Sequence, residues 1–92
     1  MDLITLKFLQ SFVNNKLNQK RCVDPFMWSR VSDYINKHNE WGLGIEMLID
    51  LICEEEIHLK KDQFEKIRDA MESMGLGKSN RVEYLINNVK NT

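Results

Sequence analysis

The side chains that could support chemistry are two cysteines, two histidines and fourteen carboxylates, and their spacing decides how far that chemistry can go. Cys22 and Cys53 stand alone, with no CxxC pair and no mixed Cys/His spacing, so neither a disulfide framework nor a zinc site is indicated. Reduced thiols are the expectation. His38 and His58 fall at predicted helix ends, and neither has a Ser or Cys nucleophile at a recognisable separation; Cys53 to His58 is not a catalytic spacing. Glu54 and His58 lie four apart and could share a metal ion, but a third ligand is missing from the pattern. Paired carboxylates would need a pocket to act as acid and base, and a small helical domain is expected to offer little concavity. The reading is a chain that is not an enzyme and needs no metal or cofactor.

The carboxylates are informative through their distribution. Residues 1–39 carry six basic and three acidic side chains, residues 40–76 four and ten, and residues 77–92 three and one. An acidic block therefore sits between two mildly basic flanks, although the formal net charge is only −1. A near-neutral total argues against a general nucleic-acid binder, and an acidic block points to a basic partner.

These charges need elements to position them. One proline, four glycines and sparse threonine and valine favour helices, and the expected fold class is all-α: a single compact domain of about five helices. The first helix runs from Asp2 to Leu17 with Leu6, Leu9, Phe12, Val13 and Leu17 on its buried face. Asp24-Pro25 starts the second, to His38, because Asp accepts orphan amides and Pro gives up no needed donor. Its core face is Met27, Val31, Tyr34, Ile35 and His38, and Phe26 and Trp28 are expected to pack on neighbouring helices. The third helix, Glu40 to Glu56, places Trp41, Ile45, Leu48, Ile49 and Ile52 in one arc with Met47 and Leu51 outside it, as suits a central element touching several neighbours. Gly42 and Gly44 near its start allow close approach of another helix or of a ligand.

The fourth helix, Lys61 to Met74, buries Phe64, Ile67, Met71 and Met74 and stops at Gly75, with Leu76 folding back as the cap's apolar partner. Ser79 or Asn80 caps the last helix, which runs to Lys90 with Val82, Leu85, Ile86 and Val89 inward. The N-terminal stretch, with Asp2 and Lys7 inside its apolar run, reads as an amphipathic helix and not a signal peptide. No run is long enough to span a membrane, so a cytoplasmic protein is expected.

On this frame the carboxylates form two ridges. Asp62, Glu65, Asp69 and Glu72 fall within roughly 80° of each other, opposite the apolar face of the fourth helix. Glu46, Asp50 and Glu54, each four apart, form a second ridge on the third helix. Lys66 follows Asp62 by four, but most of the stripe has no partner on its own helix. A solvated surface explains such a run, and so does a docking surface for a basic protein.

The stretch WGLGIEMLIDLICEEEIHLKKDQFEKIRDAMESMGL resembles the small helical immunity proteins of bacterial polymorphic toxin systems, in particular the MafI-like family and those of contact-dependent growth inhibition. The likeness covers Glu40 to Leu76. It consists of a Gly followed by an IEML…L.EE.I.L helix, a turn, an F..I…M helix and a closing MGL, and includes Glu46, Asp50, Glu54 and Glu55. Lys60-Lys61 departs from it where a Ser- or Thr-like cap would be natural. The resemblance implies a protein that binds a cognate toxin, commonly a ribonuclease, and blocks it. The residues expected at that interface are Glu46, Asp50, Glu54, Glu55, Asp62, Glu65, Asp69 and Glu72, with no direct nucleic-acid or membrane contact. Two alternatives remain open: a small DNA-binding regulator using Lys20, Arg21 and Arg30 beside Trp28, and a helical adaptor.

Overall fold

The computed structural model describes residues 2–19, 22–37, 40–76 and 80–89, and its elements are α1 (Leu3–Leu17), α2 (Pro25–Asn36), α3 (Trp41–Glu54), α4 (Lys61–Ser73) and α5 (Asn80–Ile86). The all-α architecture follows the sequence pattern. A radius of gyration of 12.1 Å is what a compact chain of this length adopts. Among the described residues the one β-type contact is a parallel bridge between Leu59 and Val89.

Each helix begins or ends on identifiable chemistry. Asp2 accepts a hydrogen bond from the Thr5 N–H at 2.7 Å, which chiefly holds its carboxyl below the ordinary value, and Asp24 accepts from the Met27 N–H at 3.2 Å with Pro25 behind it. Helix α4 closes with a complete Schellman motif: the Leu76 N–H donates to the Met71 carbonyl at 2.8 Å and the Gly75 N–H to that of Glu72 at 3.1 Å. Gly75 takes φ +75° there. Helix α3 ends on the same motif without a glycine, since Ile57 N–H donates to Ile52 and Glu56 N–H to Cys53 while Glu56 sits at φ +52°. A side chain in that left-handed conformation costs about 1 kcal/mol.

At the start of α4 half of a capping box is present. The Gln63 side-chain oxygen accepts from the Lys60 N–H at 2.9 Å, but a lysine side chain has no acceptor to return to the Gln63 N–H. Lys60→Ser completes the box and removes a cation from the positive end of the helix, so a stability gain of about 1 kcal/mol is expected in urea titrations.

The core is Leu9, Phe12 and Val13 of α1, Trp28, Val31 and Ile35 of α2, five residues of α3 from Ile45 to Ile52, Phe64, Ile67, Ala70 and Met71 of α4, Val82 and Leu85 of α5, and Leu59 between α3 and α4. Helix α3 packs on α2, α4 and α5, so burial of Leu51 outside its main arc is the consequence of a central position. At Gly44 an added Cβ would lie 3.0 Å from Ile35 Cγ1 and 3.2 Å from Tyr34 Cβ, so the missing side chain lets α2 and α3 approach.

Three expectations are corrected. Phe26 is 69% exposed because, two residues from Trp28, it lies about 200° around α2 from the ring the core receives, on the opposite side of the helix. Helix α5 stops at Ile86 and leaves that residue exposed. The cause is Asn88, whose side-chain amide donates to the Ile52 and Ile57 carbonyls at 3.1 and 3.0 Å while its own carbonyl accepts from the Leu59 N–H at 2.8 Å. The chain is drawn into the α3–α4 connection and cannot continue as helix. The expectations for Lys20, Arg21, His38, Ser79 and Lys90 lie outside the described residues.

Candidate functional site

The two carboxylate ridges have different surroundings. On α3, Glu46 and Asp50 converge on Arg81 of α5, whose Nη1 is 3.2 Å from Glu46 and whose Nε is 3.1 Å from Asp50. The Asp50 hydrogen bond chiefly raises the guanidinium's proton affinity further. Each pair is partly solvated and contributes up to about 1 kcal/mol. Glu55 caps the C-terminus of α3 and turns inward, accepting from the Trp28 indole N–H at 2.7 Å. That bond satisfies the polar atom of a fully buried ring. Glu54 remains exposed beside these anchored acids.

On α4 the acids keep to the outer side of the helix. Asp62, Asp69 and Glu72 are exposed and Glu65 is half-buried, while Phe64, Ile67, Ala70 and Met71 face the core. Two of the three basic side chains of the same helix, Lys66 and Arg68, associate with rings. Lys66 Nζ lies 5.0 Å from the Phe8 ring centroid on α1, and the Arg68 guanidinium carbon 5.7 Å from that of Phe64, with Arg68 Nη2 also 3.6 Å from Asp69. The helix therefore presents four carboxylates together with the exposed cation Lys61, at its first position four residues before Glu65, while Lys66 and Arg68 are engaged with rings or shared with Asp69.

The expectation of little concavity is also corrected. Two open depressions lie against the C-terminal half of α3. One, of about 440 Å³, is lined by Cys53, Glu56, His58, Tyr84, Asn87 and Asn88; the other, of about 170 Å³, by Ile49, Asp50, Cys53, Glu54, Arg81 and Tyr84. The Cys53 thiol is pushed up from its ordinary value by burial first, then by the charges of Asp50 and Glu54, so it is a poor nucleophile there. Among the described residues no three His, Cys, Asp or Glu side chains are grouped to hold a metal ion, and because α3 ends at Glu54 and the chain turns at Glu56, Glu54 and His58 are not related as neighbours on one helix face.

In the basic first third, Arg30 stacks 6.0 Å from the Phe26 centroid and its Nη2 donates to the Tyr34 hydroxyl at 3.4 Å. Sequence reasoning missed Arg81, Tyr84 and the inward turn of Glu55. Each depends on which faces of α2, α3 and α5 meet, and no periodicity within one helix encodes that register. No protein-family model matches the chain, and no curated protein or solved structure is similar to it. No helix among the described residues is long and apolar enough to cross a membrane.

Proposed function

We propose that this chain is an immunity-type protein: it binds a cognate bacterial toxin of basic surface, a nuclease of the contact-dependent inhibition kind, and neutralises it by covering the cationic region that holds the substrate. The observation that carries the reading is the α4 stripe, in which Asp62, Glu65, Asp69 and Glu72 share one side of a helix on which Lys66 and Arg68 lie against Phe8 and Phe64, so that the four carboxylates outnumber the exposed Lys61 beside them. A nuclease holds phosphates with Lys and Arg, and a rigid row of carboxylates offers the same cations an alternative set of acceptors. The protein performs no chemistry in this reading. Glu46, Asp50 and Glu55 serve the fold first, through Arg81 and Trp28, and Glu54 stands exposed at the end of α3.

The test reverses the stripe. Asp62→Lys, Glu65→Lys, Asp69→Lys and Glu72→Lys combined should weaken binding to a cognate toxin domain by at least about 100-fold, mostly through slower association at low salt. Affinity unchanged within about threefold, with helical content intact by circular dichroism, would overturn the stripe as the docking surface.

A further inference from the structure

The two depressions beside α3 adjoin, because Cys53 and Tyr84 line both, and together they make a groove between the C-terminal half of α3 and α5. We propose that this groove is a receptor for a single arginine side chain projecting from a protein partner. The partner's basic character is taken from the reading above; the site lies on other elements and its test is separate.

The lining includes Ile49, Cys53 and Tyr84, whose apolar atoms suit the three methylenes of an arginine. Tyr84 is 62% exposed, and its ring offers a face on which a planar guanidinium can stack. The sign of the groove is set by what Arg81 leaves over. Its one positive charge is met by both Glu46 and Asp50, so Glu54 at the rim of one depression and Glu56 at the rim of the other add uncompensated negative charge among the described residues.

Two further features place negative potential in the groove. The Cys53 thiol is raised by Asp50 and Glu54 in addition to burial, so their field reaches it. The groove also lies at the C-terminal end of a fourteen-residue helix, where the macrodipole adds about half a negative charge. An anion is repelled from such a place. A guanidinium is favoured over a compact ammonium because it can stack on Tyr84 and still direct a fork of N–H donors to the rim.

The probe is N-acetyl-arginine-methylamide, titrated against the isotope-labelled full chain with amide chemical shifts as the readout. Saturable shifts are expected at Cys53, Glu54, Glu56 and Tyr84, with the citrulline analogue, the same shape without charge, producing none. Tyr84→Ala and the pair Glu54→Gln, Glu56→Gln should each weaken the arginine affinity about tenfold, and Tyr84→Phe should keep it. All three substituted positions are exposed, so dispersed spectra are expected and will verify folding. Non-saturating shifts, equal shifts from citrulline, equal affinity for the lysine analogue, or affinity unchanged in the folded variants would each overturn the proposal. The α4 charge-reversal variant should bind the arginine probe within about threefold of the parent at physiological salt, where charges beyond a Debye length are screened. A failed stripe and a failed groove thus give different results.

Discussion

Trp28→Ala is expected to lower the unfolding free energy by about 3–5 kcal/mol, a large part of what a domain of this size possesses. The ring is fully buried, with its centroid 6.4 Å from that of Phe12 at a 42° tilt, so truncation removes a large apolar group from the place where α1 meets α2 and leaves a cavity. It also removes the donor that holds Glu55 at the end of α3. The two contributions can be separated. Glu55→Ala keeps the ring but strands a buried N–H and should cost about 1–3 kcal/mol. Trp28→Phe keeps most of the apolar contact and leaves the half-buried Glu55 able to turn to water, so it should cost less than the alanine variant. Urea unfolding followed by circular dichroism measures all three. A loss below about 1 kcal/mol for Trp28→Ala would mean that α1, α2 and α3 do not converge on this ring. A strong effect of Glu55→Ala would also identify this acid, counted from the sequence among the interface residues, as a structural anchor.

What could be read from the sequence, and what could not, divides by range. The Asp24-Pro25 start of α2, the Gly75 cap with Leu76 behind it and the surplus apolar faces of α3 are local or helix-periodic properties, and each is present in the structure. Arg81 reaching back 31 residues to Asp50, and Trp28 reaching forward 27 to Glu55, depend on interhelical register. The same limit explains Phe26 and Ile86: Phe26, outside the apolar period of its helix, lies exposed on the side turned away from the core, and Ile86, which fits its period, stands where Asn88 pulls the chain away. Glu56 hid the end of α3 for a different reason. Its left-handed conformation is one that glycine usually marks, so no residue type announced the turn. The α4 stripe was the most legible part of the candidate surface because charge and core alternate on a single helix.

Gly44→Val should destabilise the protein by about 2–3 kcal/mol, although removing glycine from a helix interior ordinarily gains stability. The sign depends on what the new atoms meet. A Cβ at Gly44 would approach Tyr34 Cβ, which moves only with the α2 backbone, and Ile35 Cγ1, which is buried and has no space to retreat into. Alanine alone sets a helix-propensity gain of about 1 kcal/mol against this crowding, and the two fixed neighbours make the net effect a loss of about 1 kcal/mol. The branched valine adds methyls against the same wall. Two residues earlier the outcome reverses: at Gly42 an added Cβ lies 3.6 Å from Leu76 Cδ1, an ordinary contact, so Gly42→Ala should stabilise by about 0.5–1 kcal/mol. Opposite signs at these two positions in the same urea assay would establish that α2 and α3 touch backbone to backbone at Gly44. Equal gains at both would show that the helices stand further apart. The separation matters beyond stability, because the same pair of helices carries Trp28 and Glu55, and a wedge at Gly44 forces apart the elements that hold this bond. Gly44→Val should therefore weaken arginine uptake by the α3–α5 groove only if the displacement is carried along α3 to Cys53 and Glu54.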